Sequence, residues 1–265
     1  MRNALHAEWT KARTVAGPAW LLLAVALLTI GLGAVVAEAS ALATSASAAL
    51  AQHQSEDGVK LTLGGVQLSQ AAVAILAVQA VSGEYATGMI RATLTAIPRR
   101  GVALAAKACV TVGLACAAAV PAVFGAFLLG RAILVGHGFT PAAGYPAMAL
   151  TAASTLRATL GSVLYLALIA LLSMGIAVLV RETAIAIGAV LALLYLFPLL
   201  AHVVSDPVWQ RHLLQLGPMS AGLLVQNTTG VSTLPLSPWA GLGVLAVWAA
   251  AAVAAGAFAL RRRDA

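Results

Sequence analysis

Long apolar stretches alternate with short polar ones along this chain, and the apolar stretches share a length. A helix needs about 20 mostly apolar residues to cross a hydrocarbon core of about 30 Å. Six segments meet that requirement: Pro18–Ala37, Leu61–Gly83, Val102–Gly130, Ala158–Val180, Ala184–Val204 and Trp239–Leu260. The third is long and carries Pro121, so it is expected to tilt or break there. The second is the least apolar. Its Gln67, Ser69, Gln70, Gln79 and Ser82 are expected to face protein or a cavity rather than lipid. The opening residues 1–17 are polar and amphipathic, and the apolar run behind them is too long for the core of a signal peptide. It reads as a first membrane helix that is retained.

The polar stretches set the orientation. With the N-terminus cytoplasmic, the cytoplasmic side holds eleven of the fifteen Lys and Arg residues: Arg2, Lys11, Arg13, Arg91, Arg99, Arg100, Lys107, Arg181 and Arg261–Arg263. Lys60, Arg131, Arg157 and Arg211 fall outside. The acidic residues divide evenly, with Glu8, Glu84, Glu182 and Asp264 inside and Glu38, Glu56, Asp57 and Asp206 outside. The whole formal charge of +7 therefore lies on one face, as the positive-inside rule requires. Both termini are expected in the cytoplasm.

Composition supports the same class. Apolar residues make up 62% of the chain, and charged residues only 9%, against about 25% charged in a soluble domain. The pI near 10.1 follows from topology and gives no support for nucleic-acid binding. The expected fold is an all-α polytopic membrane protein with six transmembrane helices. Residues 1–265 form one transmembrane domain. Within it, 1–17 is an amphipathic entry helix, 84–100 a cytoplasmic segment, and 205–238 an outer loop with short interfacial helices.

Several chemistries lack their residues. Lys11, Lys60 and Lys107 all lack the preceding glycine of a phosphate-cradling loop. No His, Cys and acid spacing resembles a metal or haem site. Ser220 has no histidine on the sixth helix to activate it. Cys109 and Cys116 share a helix face but stand about 10.5 Å apart, beyond the roughly 7 Å reach of a disulfide. Asn227-Thr228-Thr229 matches the glycosylation triplet and is read as a turn. No catalytic, cofactor-binding or metal-ligating residue is expected, and the chain is not read as an enzyme.

The informative segment is Glu84–Arg100, EYATGMIRATLTAIPRR. It is too short for a domain and too patterned for a plain loop. A short helix there would turn Met89, Ile90, Thr93 and Leu94 to one side. Pro98 would end it, and Arg99 and Arg100 would sit at the phosphate surface.

The pattern of Glu84, Tyr85, Gly88, Ile90, Arg91, Thr93, Leu94, Pro98, Arg99 and Arg100 resembles the cytoplasmic signature of ABC type-2 permeases, the membrane subunits of ABC exporters. Bacterial members, especially actinobacterial ones, match it best. AEWTKART at Ala7–Thr14 resembles that family's entry helix. GIAVLVRETAIAIG at Gly175–Gly188 resembles its turn between helices four and five. LGPMSAG at Leu216–Gly222 resembles its outer segment before helix six.

The resemblance implies a multi-pass protein of the bacterial plasma membrane, in which 84–100 is a coupling helix docked on a separate ATPase subunit. Two ATPases, carrying ATP and Mg, would serve two permease copies, identical or related. Met89 would join the contact. Gly88 would allow close backbone approach, Arg91 would pair with an acid on the ATPase, and Arg181 and Glu182 would offer a second contact. The few charges in the helices favour an apolar or amphipathic substrate. The alternative is a stand-alone secondary transporter or channel, a class that usually shows midplane charges or broken helices.

Overall fold

A computed structural model describes residues 2–46, 57–96 and 100–262. They form eleven α-helices, and no β-strand occurs among them. In chain order these are α1 (Arg2–Thr14), α2 (Ala16–Ala46), α3 (Gly58–Thr62), α4 (Val66–Ala86), α5 (Met89–Ala96), α6 (Arg100–Gly136), α7 (Ala153–Val180), α8 (Thr183–Val203), α9 (Pro207–Leu216), α10 (Pro218–Gly222) and α11 (Pro238–Arg262). Six of them, α2, α4, α6, α7, α8 and α11, are long and apolar enough to span a membrane. The chain is a polytopic helical membrane protein.

α4 and α7 form the centre. In their most apolar windows 61% and 67% of residues are buried, against 22% in α8 and α11. Lipid is as apolar as a leucine side chain, so burial alone does not drive helices together in a bilayer. Close packing of small residues does. α7 and α11 show this: Gly175 lies so near α11 that an added Cβ would come within 2.5 Å of the Ala252 carbonyl carbon. Tyr165 and Phe127 fill the centre with no exposure.

The second span departs from expectation at its start: it begins later than expected, at Val66. α3 ends at Thr62, tightened turns follow at Leu63–Gly65, and α4 begins at Val66, whereas the sequence predicts one helix over Leu61–Gly83. Gly65 permits the close approach of α2, whose Leu28 and Thr29 carbonyls lie against its backbone. The third crossing runs unbroken for 37 residues through Pro121, about 55 Å at 1.5 Å per residue. Pro121 lies on an exposed face, where its ring displaces no neighbouring helix.

α1, the end of α4, α5, the start of α6 and the end of α11 gather at one end of the bundle, here the basal end. Contacts across it prove the grouping: Glu8 of α1 meets Lys107 of α6, and Arg100 meets Leu260. At the distal end, Asp57 caps α3 through the Lys60 amide. The same carboxylate accepts from the Thr228 and Thr229 amides and the Thr228 hydroxyl. Asn227 is only 7% exposed, and its side-chain amide donates to the Leu224 carbonyl, 3.2 Å away. The turn reading of this triplet is thereby accounted for. Asp206 caps α9 with Pro207 in its first turn, and α9 has no buried residue.

Candidate functional site

The basal end concentrates the polar chemistry of the chain. α4 stops at Thr87, and Gly88 turns the backbone into α5 with a φ of 70°. That left-handed conformation explains the glycine. A Cβ there would meet nothing within 4 Å, so within this chain Gly88 serves the turn and not a close approach.

Four charged side chains interlock beneath α5. Lys107, 7% exposed on α6, sits 2.6 Å from Glu8 Oε2 and 2.9 Å from Glu84 Oε1, and also donates to the Ala80 carbonyl. Lys11 of α1 reaches Glu84 Oε1 at 2.6 Å, Glu8 Oε1 at 3.0 Å and Thr93 Oγ1 at 3.2 Å. Each lysine thus faces both carboxylates, and the cluster is neutral. Burying the charges of Glu8, Glu84 and Lys107 costs several kcal/mol per ion. Short distances and alternating sign offset that cost here. Lys11 is held above the ordinary lysine value of 10.5: partial burial would lower it, but hydrogen bonds to Glu84 and Glu8 outweigh burial. The second Glu84 oxygen, Oε2, is buried without a hydrogen-bond partner. Glu84 also lines a cavity of about 20 Å³ with Tyr85, Ile90, Thr93 and Lys107, room for about one water.

Further contacts tie the remaining helices to this hub. Arg181 ends α7 at a φ of 64°, and its guanidinium lies 5.2 Å from the Tyr85 ring centroid. Glu182 caps α8 through the Ala184 and Ile185 amides. Thr183 donates to Ser82 at 2.9 Å. Arg100 donates to the Leu260 carbonyl at 2.6 Å, near the end of α11, a favourable place for a cation.

Of the residues singled out from sequence, Glu84, Tyr85, Thr93 and Arg100 are engaged within the chain, and Arg181 and Glu182 hold the turn from α7 to α8. Met89 is 45% exposed, and Ile90 is partly buried. Pro98 and Arg99 lie outside the described residues, as do Glu56, Arg263, Asp264 and the side chains of Arg91 and Leu94. Sequence reasoning missed Glu8, Lys11 and Lys107 as a site. Lys107 gave a signal, since it is a charge inside the expected span Val102–Gly130.

The polar positions of the second crossing divide. Gln70, Ser69 and Ser82 are buried, whereas Gln67 and Gln79 are exposed, contrary to the expected inward placement. Gln70 accepts from the Tyr165 hydroxyl and donates to the Gln67 carbonyl and to Met219 Sδ. Near it Gln226 donates to Ser162. The bonds to Tyr165, Met219 and Ser162 join neighbouring helices. Ser220 donates to the Leu214 and Gly217 carbonyls, with no histidine among its partners. No group of three metal-ligating side chains occurs among the described residues.

The chain matches no known family model, and no curated protein is significantly similar to it.

Proposed function

We propose that this chain is the permease subunit of an ATP-driven exporter of the ABC type-2 kind, in a bacterial plasma membrane with its basal end in the cytoplasm. The carrying observation is the seat of α5. Its outer side offers Met89 to solvent, while Thr93 binds Lys11 and the preceding Glu84 binds both lysines of the cluster. A force on α5 would reach α1, α4 and α6 through charge-assisted bonds, which are short and strong. In this reading Met89, Ile90, Arg91 and Leu94 meet a separate ATPase, which carries ATP and Mg, and Glu84 positions the segment. The working unit holds two ATPases and a second permease copy, and the substrate is apolar or amphipathic.

The test is the variant Met89→Ala/Ile90→Ala/Leu94→Ala. It removes contact area worth about 25 cal/mol per Å² and leaves the spans intact. Expression and insertion should match wild type, while ATPase co-purification and efflux fall. Unchanged co-purification and efflux at matched expression would defeat the proposal.

The alternative reading is a stand-alone secondary transporter. Proteoliposomes containing only this chain separate the two. Uptake driven by an ion gradient would establish the second reading and exclude the first.

A further inference from the structure

We propose that one face of α1 is a binding surface for anionic phospholipid headgroups. The inference rests on the chain spanning a membrane and is independent of the exporter reading. α1 has three faces. Ala4, Glu8 and Lys11 turn into the bundle, where Glu8 meets Lys107. Asn3, His6, Thr10 and Thr14 line an open groove. The third face carries Arg2, Trp9 and Arg13, at spacings of i, i+7 and i+11 that stack on one side of a helix. Trp9 is 45% exposed, and both arginines are exposed. Neither arginine has an ion-pair partner among the described residues.

Position identifies the occupant. Only Val15 separates α1 from the first membrane span, which begins at Ala16. Trp20, 68% exposed, follows just inside that span. Exposed tryptophans at this level mark the headgroup layer. A zwitterionic surface would satisfy Trp9 but would not select for two unpaired guanidinium groups. An anionic headgroup pairs with them bidentately. The face opposite the lipid carries Glu8, so a headgroup that holds α1 down also holds Glu8 over Lys107.

The test uses the purified full-length chain in vesicles of phosphatidylcholine and phosphatidylglycerol, with bromine on the chains of one lipid and then of the other. The Trp9 contribution is the fluorescence quenching lost in Trp9→Phe. Phosphatidylglycerol should be enriched at Trp9 by roughly fivefold per arginine at low salt. The preference should disappear in Arg2→Gln/Arg13→Gln and persist in Arg261→Gln/Arg262→Gln, which removes a different exposed basic pair. Equal quenching by the two lipids in wild type would overturn the proposal. So would a preference that survives Arg2→Gln/Arg13→Gln or that is lost with Arg261 and Arg262.

Discussion

Lys107 lies in an apolar stretch, and from sequence it counts only as one positive charge near the cytoplasmic end of a span. Its partners Glu8 and Glu84 lie 99 and 23 residues away in sequence, so no local pattern reveals the pairing. Removing one member of a buried pair leaves an uncompensated charge, which costs about 3–5 kcal/mol. Lys107→Met should destabilise the chain by that order, and Glu84→Gln by less, because the isosteric amide oxygen can still accept from Lys11 and Lys107. In the double variant Lys107→Met/Glu84→Gln the loss should be smaller than the sum of the single losses. Unfolding in detergent micelles measures all three. Strict additivity would show that the two side chains do not stabilise one another.

At the scale of elements, helix lengths follow hydropathy, but helix breaks do not. Pro121 marks a break by its chemistry, yet α6 passes through it, and its ring faces out of the bundle, where it displaces no neighbouring helix. Leu63–Gly65 reads as the start of an apolar span, yet it forms turns ahead of a helix that begins at Val66, and Gly65 lets α2 approach its backbone. Glycine spacing is equally ambiguous. Gly175 and Gly188 both belong to the stretch that resembles the permease turn, but only Gly175 meets a neighbour. Gly175→Leu should force α7 and α11 apart and cost about 1–3 kcal/mol or more. Gly188→Leu, with nothing within 4 Å of its added Cβ, should change stability by no more than about 0.5 kcal/mol. Equal thermal shifts for the two variants would refute the packing argument.

For the whole molecule, the arrangement that matters is the convergence of α1, α4, α5, α6, α11 and the α7–α8 turn at the basal end. Orientation in the membrane is argued from charge: the basal end carries the basic excess, so it should face the cytoplasm. Single cysteines test this in a Cys109→Ala/Cys116→Ala background. A cysteine at exposed Ser232 should react with an impermeant thiol reagent in intact cells, and one at exposed Thr95 should react only after lysis. Asn227 is unsuited to this test because it is buried. Labelling of position 95 from outside would reverse the orientation and remove the basis for an ATPase contact at α5.

Hydropathy by itself determined that the chain is all-helical and membrane-spanning, that it has six spans and roughly where each lies, because the need to satisfy every backbone group in lipid leaves a run of about 20 apolar residues few other structures. The segment Glu84–Arg100 was also legible, since its polar pattern interrupts that regularity. Only the tertiary structure decided that Glu84 turns inward to two lysines, that Gly88 serves a left-handed turn and that the second span begins at Val66, behind a separate short helix. Each depends on which helix lies beside it, and side-chain contacts between segments distant in sequence leave no periodic trace along the chain.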